Sequence, residues 1–247
     1  MRRPVVAGNW KMHGSKAWLE AWVADWQKRI DARAELIVLP PAPYLATVRA
    51  LLGDRRVRVG AQNVHAEANG AFTGEVAAEM VKDAGADCTL VGHSERRQRC
   101  GESDDVVAAK FVAARRAGLT PILCVGESLD ERKRGAAADV VLRQLDAVIA
   151  RAGIAAFDDA LIAYEPVWAI GTGVVATPDD AEEMHACIRV RLAEHARDVA
   201  AAMRILYGGS VKAGNAAGLF AKPNVDGGLV GGASLDAGEF ALICNAA

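Results

Sequence analysis

Short apolar runs recur along the chain, each closed by glycine, proline or polar residues. They occupy residues 5–8, 36–39, 57–60, 88–91, 121–125, 161–164, 205–207 and 228–230. Runs this short, apolar without alternation, predict parallel strands buried on both faces. Helical spacing fills the stretches between them. Trp18, Trp22 and Trp26 follow Ser15 at i, i+4 and i+8, which predicts a capped helix with a buried aromatic face. Leu142, Leu145, Val148 and Ile149 predict a second buried stripe. After Thr177-Pro178 come Asp179, Asp180, Glu182 and Glu183, suited to a helix N-terminus, with Ala181, Met184, Ile188 and Leu192 as its apolar face. The pattern amounts to eight strand-plus-helix units with no linker or composition shift between them. Eight such units in roughly 250 residues fit a closed (β/α)8 barrel of class α/β, one domain over residues 1–247, with its active site at the C-terminal ends of the strands. A doubly wound open sheet is the second reading, and would usually use fewer strands.

Composition agrees with a large core. Of 247 residues, 52% are apolar and 24% charged, and the formal net charge is −2. That balance offers nothing to a nucleic acid or other polyanion. Cys88, Cys100, Cys124, Cys187 and Cys244 are odd in number, scattered and without a C-x-x-C pair, so neither a disulfide framework nor a zinc site is expected. The start lacks the apolar stretch of a signal peptide, and no uncharged apolar run is long enough for a membrane helix. A soluble, cytoplasmic protein with no membrane or nucleic-acid partner is expected.

In a barrel of this kind chemistry sits where strands end, and polar residues collect there. Strand 1 ends in Asn9-Trp10-Lys11, strand 4 in Gly92-His93-Ser94-Glu95 and strand 6 in Glu165-Pro166. Strands 7 and 8 end in Gly208-Gly209-Ser210 and Gly231-Gly232. Two adjacent glycine-rich ends that lead into helices suit a phosphate, because the backbone can approach the ligand and free N–H groups face it. The alternative is a pair of tight turns with no ligand.

Other motifs fail on context. Gly171-Thr172-Gly173-Val174-Val175-Ala176 spells a dinucleotide fingerprint but does not join a strand directly to its helix. Gly92-His93-Ser94-Glu95-Arg96 resembles a nucleophile elbow but ends in arginine. No P-loop and no H-E-x-x-H is present.

Among the histidines, His185 and His195 fall within the predicted helix after Pro178 and are read as structural, while His65 falls in a loop without an assigned role. His93 closes a buried strand and precedes a helical turn starting at Ser94, a position that disfavours imidazolium, so a neutral ring is expected. Glu165 reads as a general base, with a plain ion pair as the alternative for a carboxylate at a strand end. Residues 166–173, apolar in the middle and small at the far end, suit a lid that hinges and excludes water. Lys11 adds positive charge at the same mouth with Glu95 as partner; a structural salt bridge is the alternative there. A carboxylate base, a neutral imidazole, a lysine and a phosphate cradle suit proton abstraction beside a carbonyl, through an enediolate, with neither metal nor cofactor.

At these residues the chain resembles the triosephosphate isomerase family. The resemblance is carried by Gly8-Asn9-Trp10-Lys11-Met12, Gly70-Ala71-Phe72-Thr73-Gly74-Glu75 and Val91-Gly92-His93-Ser94-Glu95-Arg96-Arg97. It continues through Cys124-Val125-Gly126-Glu127 and Ala163-Tyr164-Glu165-Pro166-Val167-Trp168-Ala169-Ile170-Gly171-Thr172-Gly173, then Tyr207-Gly208-Gly209-Ser210-Val211 and Gly228-Leu229-Val230-Gly231-Gly232-Ala233. The blocks stand in family order across nearly the whole chain. The resemblance implies a TIM barrel that interconverts dihydroxyacetone phosphate and D-glyceraldehyde 3-phosphate without a cofactor. It implies Glu165 as the base between C1 and C2, His93 as the electrophile and Lys11 as the electrostatic stabiliser. Asn9 and Lys11 would contact substrate, the N–H groups of Gly171, Ser210, Gly231 and Gly232 would hold the phosphate, and Ser94 and Glu95 would support. It also implies a homodimer, with the Thr73 loop reaching the partner's site.

One departure is Ala42-Pro43 after Pro40-Pro41, where an aromatic is expected; it bears on local packing alone. Two other readings stay open. One is a different barrel enzyme acting on a phosphorylated substrate, such as a sugar-phosphate or indole-pathway isomerase. The other is a non-catalytic barrel that binds phosphate ligands or partner proteins. The Glu165 block with its lid counts against the first, and an intact base, electrophile and lysine count against the second.

Overall fold

The computed structural model describes residues 2–53, 56–170 and 176–247. Among these residues eight parallel strands close on one another in chain order. They are β1 Val5–Asn9, β2 Glu35–Leu39, β3 Val57–Ala61, β4 Cys88–Val91, β5 Thr120–Val125, β6 Leu161–Tyr164, β7 Arg204–Tyr207 and β8 Gly227–Val230. Closure is made at β1, where Ala7 stands opposite Ile37 on one side and Leu229 on the other. The expected closed (β/α)8 barrel is therefore borne out, and the open-sheet alternative falls.

Why the strands read as unbroken apolar runs is visible in the packing. Alternate residues point to two different cores. Val5, Ala7, Ile37, Leu39, Leu90, Ile122, Leu161 and Leu206 pack inside the barrel. Their neighbours Val6, Leu36, Val38, Val91, Leu123, Ile162 and Ile205 pack outward among the helices. Cys88 and Cys124 belong to the inner set and behave there as small apolar groups. Burial pushes the Cys88 thiol up to about 12 and raises that of Cys124 as well.

The helices follow their caps. Ser15 accepts the Trp18 N–H and starts helix Lys16–Arg29, which buries Leu19, Trp22, Val23 and Trp26. Thr177 and Asp180 exchange hydrogen bonds in a capping box at the head of helix Pro178–His195. That helix buries Ala181, Met184, Ile188 and Leu192 as expected, together with His185. The stripe read in helix Ala137–Ala152 is rotated from expectation. Its buried face is Val140, Val141, Gln144, Leu145, Val148 and Ile149, and Leu142 is only half buried. The polar Gln144 turns inward because its amide clamps both the N–H and the carbonyl of Gly126, at 2.8 and 3.0 Å. At Ala42-Pro43 the missing aromatic is offset by Tyr44, which packs on the core and donates its hydroxyl to the Gly14 carbonyl. No helix among the described residues is long and apolar enough to cross a membrane.

Candidate active site

The end of β1 presents Asn9 and Lys11 through a strained turn. Asn9 Oδ1 accepts the Lys11 N–H at 3.0 Å, and Lys11 adopts φ +50°, uncommon for a residue with a side chain. Gln62 Nε2 holds the turn by donating to the carbonyls of Lys11 and Leu39, each at 2.8 Å. The lysine Nζ stands 2.6 Å from Glu95 Oε1. Burial alone would raise the Glu95 carboxyl, but the Lys11 hydrogen bond and charge outweigh it and hold it below its ordinary value.

At the end of β4, His93 caps helix Ser94–Arg99 with its own ring: Nδ1 accepts the Glu95 N–H at 3.2 Å. An accepting Nδ1 leaves the ring proton on Nε2, which lies 3.1 Å from Glu165 Oε1. The other Glu165 oxygen accepts the Ser94 N–H at 2.8 Å. Glu165 is 2% exposed and His93 6%, so this contact is made in a dry setting at the foot of the mouth. Two glycines leave room for it. A β-carbon at Gly126 would overlap the Glu165 carbonyl oxygen, and one at Gly208 would stand 2.9 Å from Glu165 Cγ.

The two glycine-rich strand ends complete the ring. Ser210 Oγ donates to the Ala169 carbonyl at 2.8 Å, and Asn215 Nδ2 fixes the Ser210 carbonyl. Beyond β8, Gly231 leads into the 3-10 turn Gly232–Leu235. A β-carbon at Gly231 would lie 3.4 Å from Lys11 Cε, so this loop rests against the lysine stem.

One cavity of about 390 Å³ is lined by Asn9, Lys11, His93, Glu165, Ser210, Gly231 and Gly232, residues that come from five different strand ends. Of the expected site residues, Ser94 touches this group through Glu165. Glu95 joins it through Lys11 and also lines an adjoining cavity of about 410 Å³. Gly171 and the far end of the expected lid, residues 171–173, lie outside the described residues. His185 has the structural place expected of it: fully buried, with Nδ1 3.1 Å from the Asn224 carbonyl, it is lowered by burial to about 4.

Sequence reasoning gave no role to Glu127, whose side chain is wholly buried beyond β5. It accepts from Tyr164 Oη at 3.1 Å, Trp168 Nε1 at 2.7 Å and Arg132 at 3.4 Å, while its carbonyl accepts the Val167 N–H. Burial and this carboxylate push the Tyr164 phenol up. Glu127 thus fastens the start of segment 166–170 to the barrel. The available signal was a carboxylate at a strand end, in Gly126-Glu127, the same signal that marked Glu165.

The model of the triosephosphate isomerase family matches residues 4–247. A triosephosphate isomerase of Thiobacillus denitrificans is 57% identical over 247 residues, covering all of this chain and 99% of that protein. Those of Pseudomonas syringae pv. tomato and Pseudomonas putida are 52% and 53% identical at the same coverage. The chain belongs to the triosephosphate isomerase family. The resemblance drawn from the motif blocks is borne out, and a different barrel family is set aside by identity that runs the full length. Here the ends of β1, β4, β6, β7 and β8 meet around one cavity.

Proposed function

We propose that this chain interconverts dihydroxyacetone phosphate and D-glyceraldehyde 3-phosphate through an enediolate, using no cofactor. The observation that carries the proposal is the Glu165–His93 contact of 3.1 Å inside a cavity ringed by the glycine-rich ends of β7 and β8. Triosephosphate isomerase is itself the standing illustration of a glutamate base beside a neutral histidine, so this pairing agrees with the family rather than adding to it.

In the proposed reaction Glu165 takes the proton from C1, and the freed electron pair forms the C1=C2 bond of the enediolate. The former carbonyl oxygen receives the proton of His93 Nε2 and the ring recovers one from the neighbouring oxygen. Glu165 returns its proton to C2. Lys11 Nζ offsets the negative charge that develops on the oxygens, with Asn9 alongside it and Glu95 holding the ammonium in place. Ser94 donates to the resting carboxylate, which turns away from it to reach the carbon. The N–H groups of Gly171, Ser210, Gly231 and Gly232 hold the phosphate. That grip acts far from the reacting bond, so its binding energy can serve orientation and lid closure.

Segment 166–173 is proposed as the lid. Its first residues are tied to Glu127 and Ser210. Closing over the phosphate keeps water out and disfavours loss of phosphate from the enediolate. Residues 1–247 are read as one domain. The chain is further proposed to act as a homodimer, with the partner's Thr73 loop entering the cavity lined by Met12, Gln62, Glu75, Glu95 and Arg99. The exposed side chains Met12, Phe72 and Met80 support this, since pairing would bury them. A cytoplasmic location is proposed from the scattered cysteines, which are unpaired in the structure. The test is conversion of D-glyceraldehyde 3-phosphate with no added cofactor, before and after chelation. Equal, rapid conversion is expected; no conversion, or loss on chelation, contradicts the proposal.

A further inference from the structure

The aromatic stripe of helix Lys16–Arg29 does more than fill the core. Trp22 stacks on Trp26 and sits edge-on to Trp10, with ring centres 5.2 and 4.7 Å apart. Phe240 lies against the same ring at 6.0 Å. The buried indoles Trp10 and Trp26 have no hydrogen-bond partner for Nε1 among the described residues. Trp22 does: its Nε1 donates to the Ser234 carbonyl at 3.1 Å. Stacking asks only for a flat ring, so the indole N–H is the specific part of this side chain.

Ser234 belongs to the turn Gly232–Leu235, which Gly231 precedes beyond β8. Its N–H and its Oγ both donate to the Gly231 carbonyl, at 2.8 and 2.7 Å, and its Oγ also lies 3.4 Å from the Asn9 carbonyl. Trp10, the ring that Trp22 meets edge-on, is the residue between Asn9 and Lys11. One side chain therefore touches both chain segments that flank the cavity. There is little slack behind it. A β-carbon at Gly8 would stand 3.1 Å from Ser234 Cβ and 2.8 Å from Phe240 Cζ, so a shift of this turn would be passed on rather than absorbed.

We infer that Trp22 is a positioning residue for phosphate: its N–H fixes the turn after β8 at the distance from Asn9 and Lys11 that a triose phosphate spans. The inference rests on the reading that Gly231 and Gly232 hold the phosphate, and it adds a residue that reading does not include. A loosened turn weakens the grip on phosphate more than it disturbs Glu165 and His93, which come from other strand ends.

The test compares wild type, Trp22→Phe and Gly232→Asp, the last placing a carboxylate in open space within the supposed cradle. Three quantities are measured: inhibition by inorganic phosphate, kcat/KM for D-glyceraldehyde 3-phosphate, and kcat/KM for phosphate-free glyceraldehyde. Loss of one buried hydrogen bond predicts phosphate inhibition and the phosphorylated substrate's kcat/KM weaker by about 3- to 10-fold in Trp22→Phe. KM rises more than kcat falls, and glyceraldehyde is affected much less. Equal losses on both substrates mean a merely structural role and overturn the inference. Unchanged phosphate inhibition in Trp22→Phe, with a large loss in Gly232→Asp, overturns it and leaves the cradle standing. Unchanged phosphate inhibition in Gly232→Asp overturns the cradle reading, and the inference with it. If Trp22→Phe does not fold, 3-benzothienylalanine at position 22 keeps the shape of the indole while removing its N–H, and the same outcomes apply.

Discussion

Gly208→Ala tests how closely the barrel holds its base. The added β-carbon would stand 2.9 Å from Glu165 Cγ and 3.0 Å from the Tyr164 carbonyl oxygen. Comfortable carbon contacts begin near 3.5 Å, so Cγ must retreat by roughly half an ångström or more. Its neighbours leave no easy direction, since the Gly208 N–H is bonded to that same Tyr164 carbonyl at 2.7 Å. The carboxylate lies further along the side chain, where a tilt at Cγ is amplified. A misplacement approaching 1 Å costs on the order of 10²-fold in rate, so kcat is expected to fall about 10- to 100-fold. Overpacking of this kind costs stability by about 1 kcal/mol or somewhat more, leaving a folded protein to assay. Gly218→Ala is the matched control: its β-carbon meets nothing within 4 Å, in helix Ala213–Phe220, and it should leave kcat alone while stabilising by about 0.5–1 kcal/mol. Steady-state kinetics and urea unfolding on the three proteins decide the matter. A Gly208→Ala enzyme with kcat within twofold of wild type would refute the claim that Glu165 works from this fixed position, and so would a loss confined to phosphate affinity.

Lys11→Met keeps a stem beside Gly231 while removing the ammonium; kcat should fall about 10²–10³-fold, and near-normal steady-state kinetics would take Lys11 out of the electrostatic role. Glu127→Ala strips the acceptor from Tyr164 and Trp168 and should cost about 3 kcal/mol in urea unfolding; an unchanged midpoint would show that these donors find other partners. His185, lowered to about 4 from 6.5, binds its proton more readily unfolded than folded. Its contribution is full above pH 6.5 and is lost as pH falls toward 4. Between pH 7 and 5 the native protein should lose about 2 kcal/mol through this group, a loss absent from His185→Gln. Equal pH slopes in the two proteins would contradict it.

Much of this was open to a reader of the sequence, for identifiable reasons. Strands buried on both faces leave unbroken apolar runs, so the ends of β4 and β6 could be read directly. The least obvious was β8, which opens on two glycines; Gly227 takes φ +126°, and a β-carbon there would overlap the Val5 backbone. The cap at Ser15 and the helix start after Thr177-Pro178 rest on residues close in sequence and were equally legible. The rule that chemistry gathers at strand ends brought Asn9, Lys11, His93, Glu165, Ser210, Gly231 and Gly232 into one cavity. What stayed hidden depends on partners distant along the chain. Leu142 was placed on the buried face because nothing local says that Gln144 turns inward to clamp Gly126. Gln62, Glu127 and the Trp22–Ser234 bond are invisible for the same reason: each gains its role only when the barrel closes.

The most direct test of the central claim is proton exchange in Glu165→Gln. Gln keeps the size of Glu and can accept from one of His93 and Ser94, since its amide nitrogen does not accept, and it cannot take a proton from carbon. D-Glyceraldehyde 3-phosphate is incubated in D2O with wild type or the variant, and deuterium in substrate and product is followed by NMR. Wild type should form dihydroxyacetone phosphate that carries deuterium at C1. The variant should be slower by about 10³-fold or more in both conversion and exchange, while inorganic phosphate still binds. Conversion and exchange at near wild-type rates in Glu165→Gln would contradict the account at its centre.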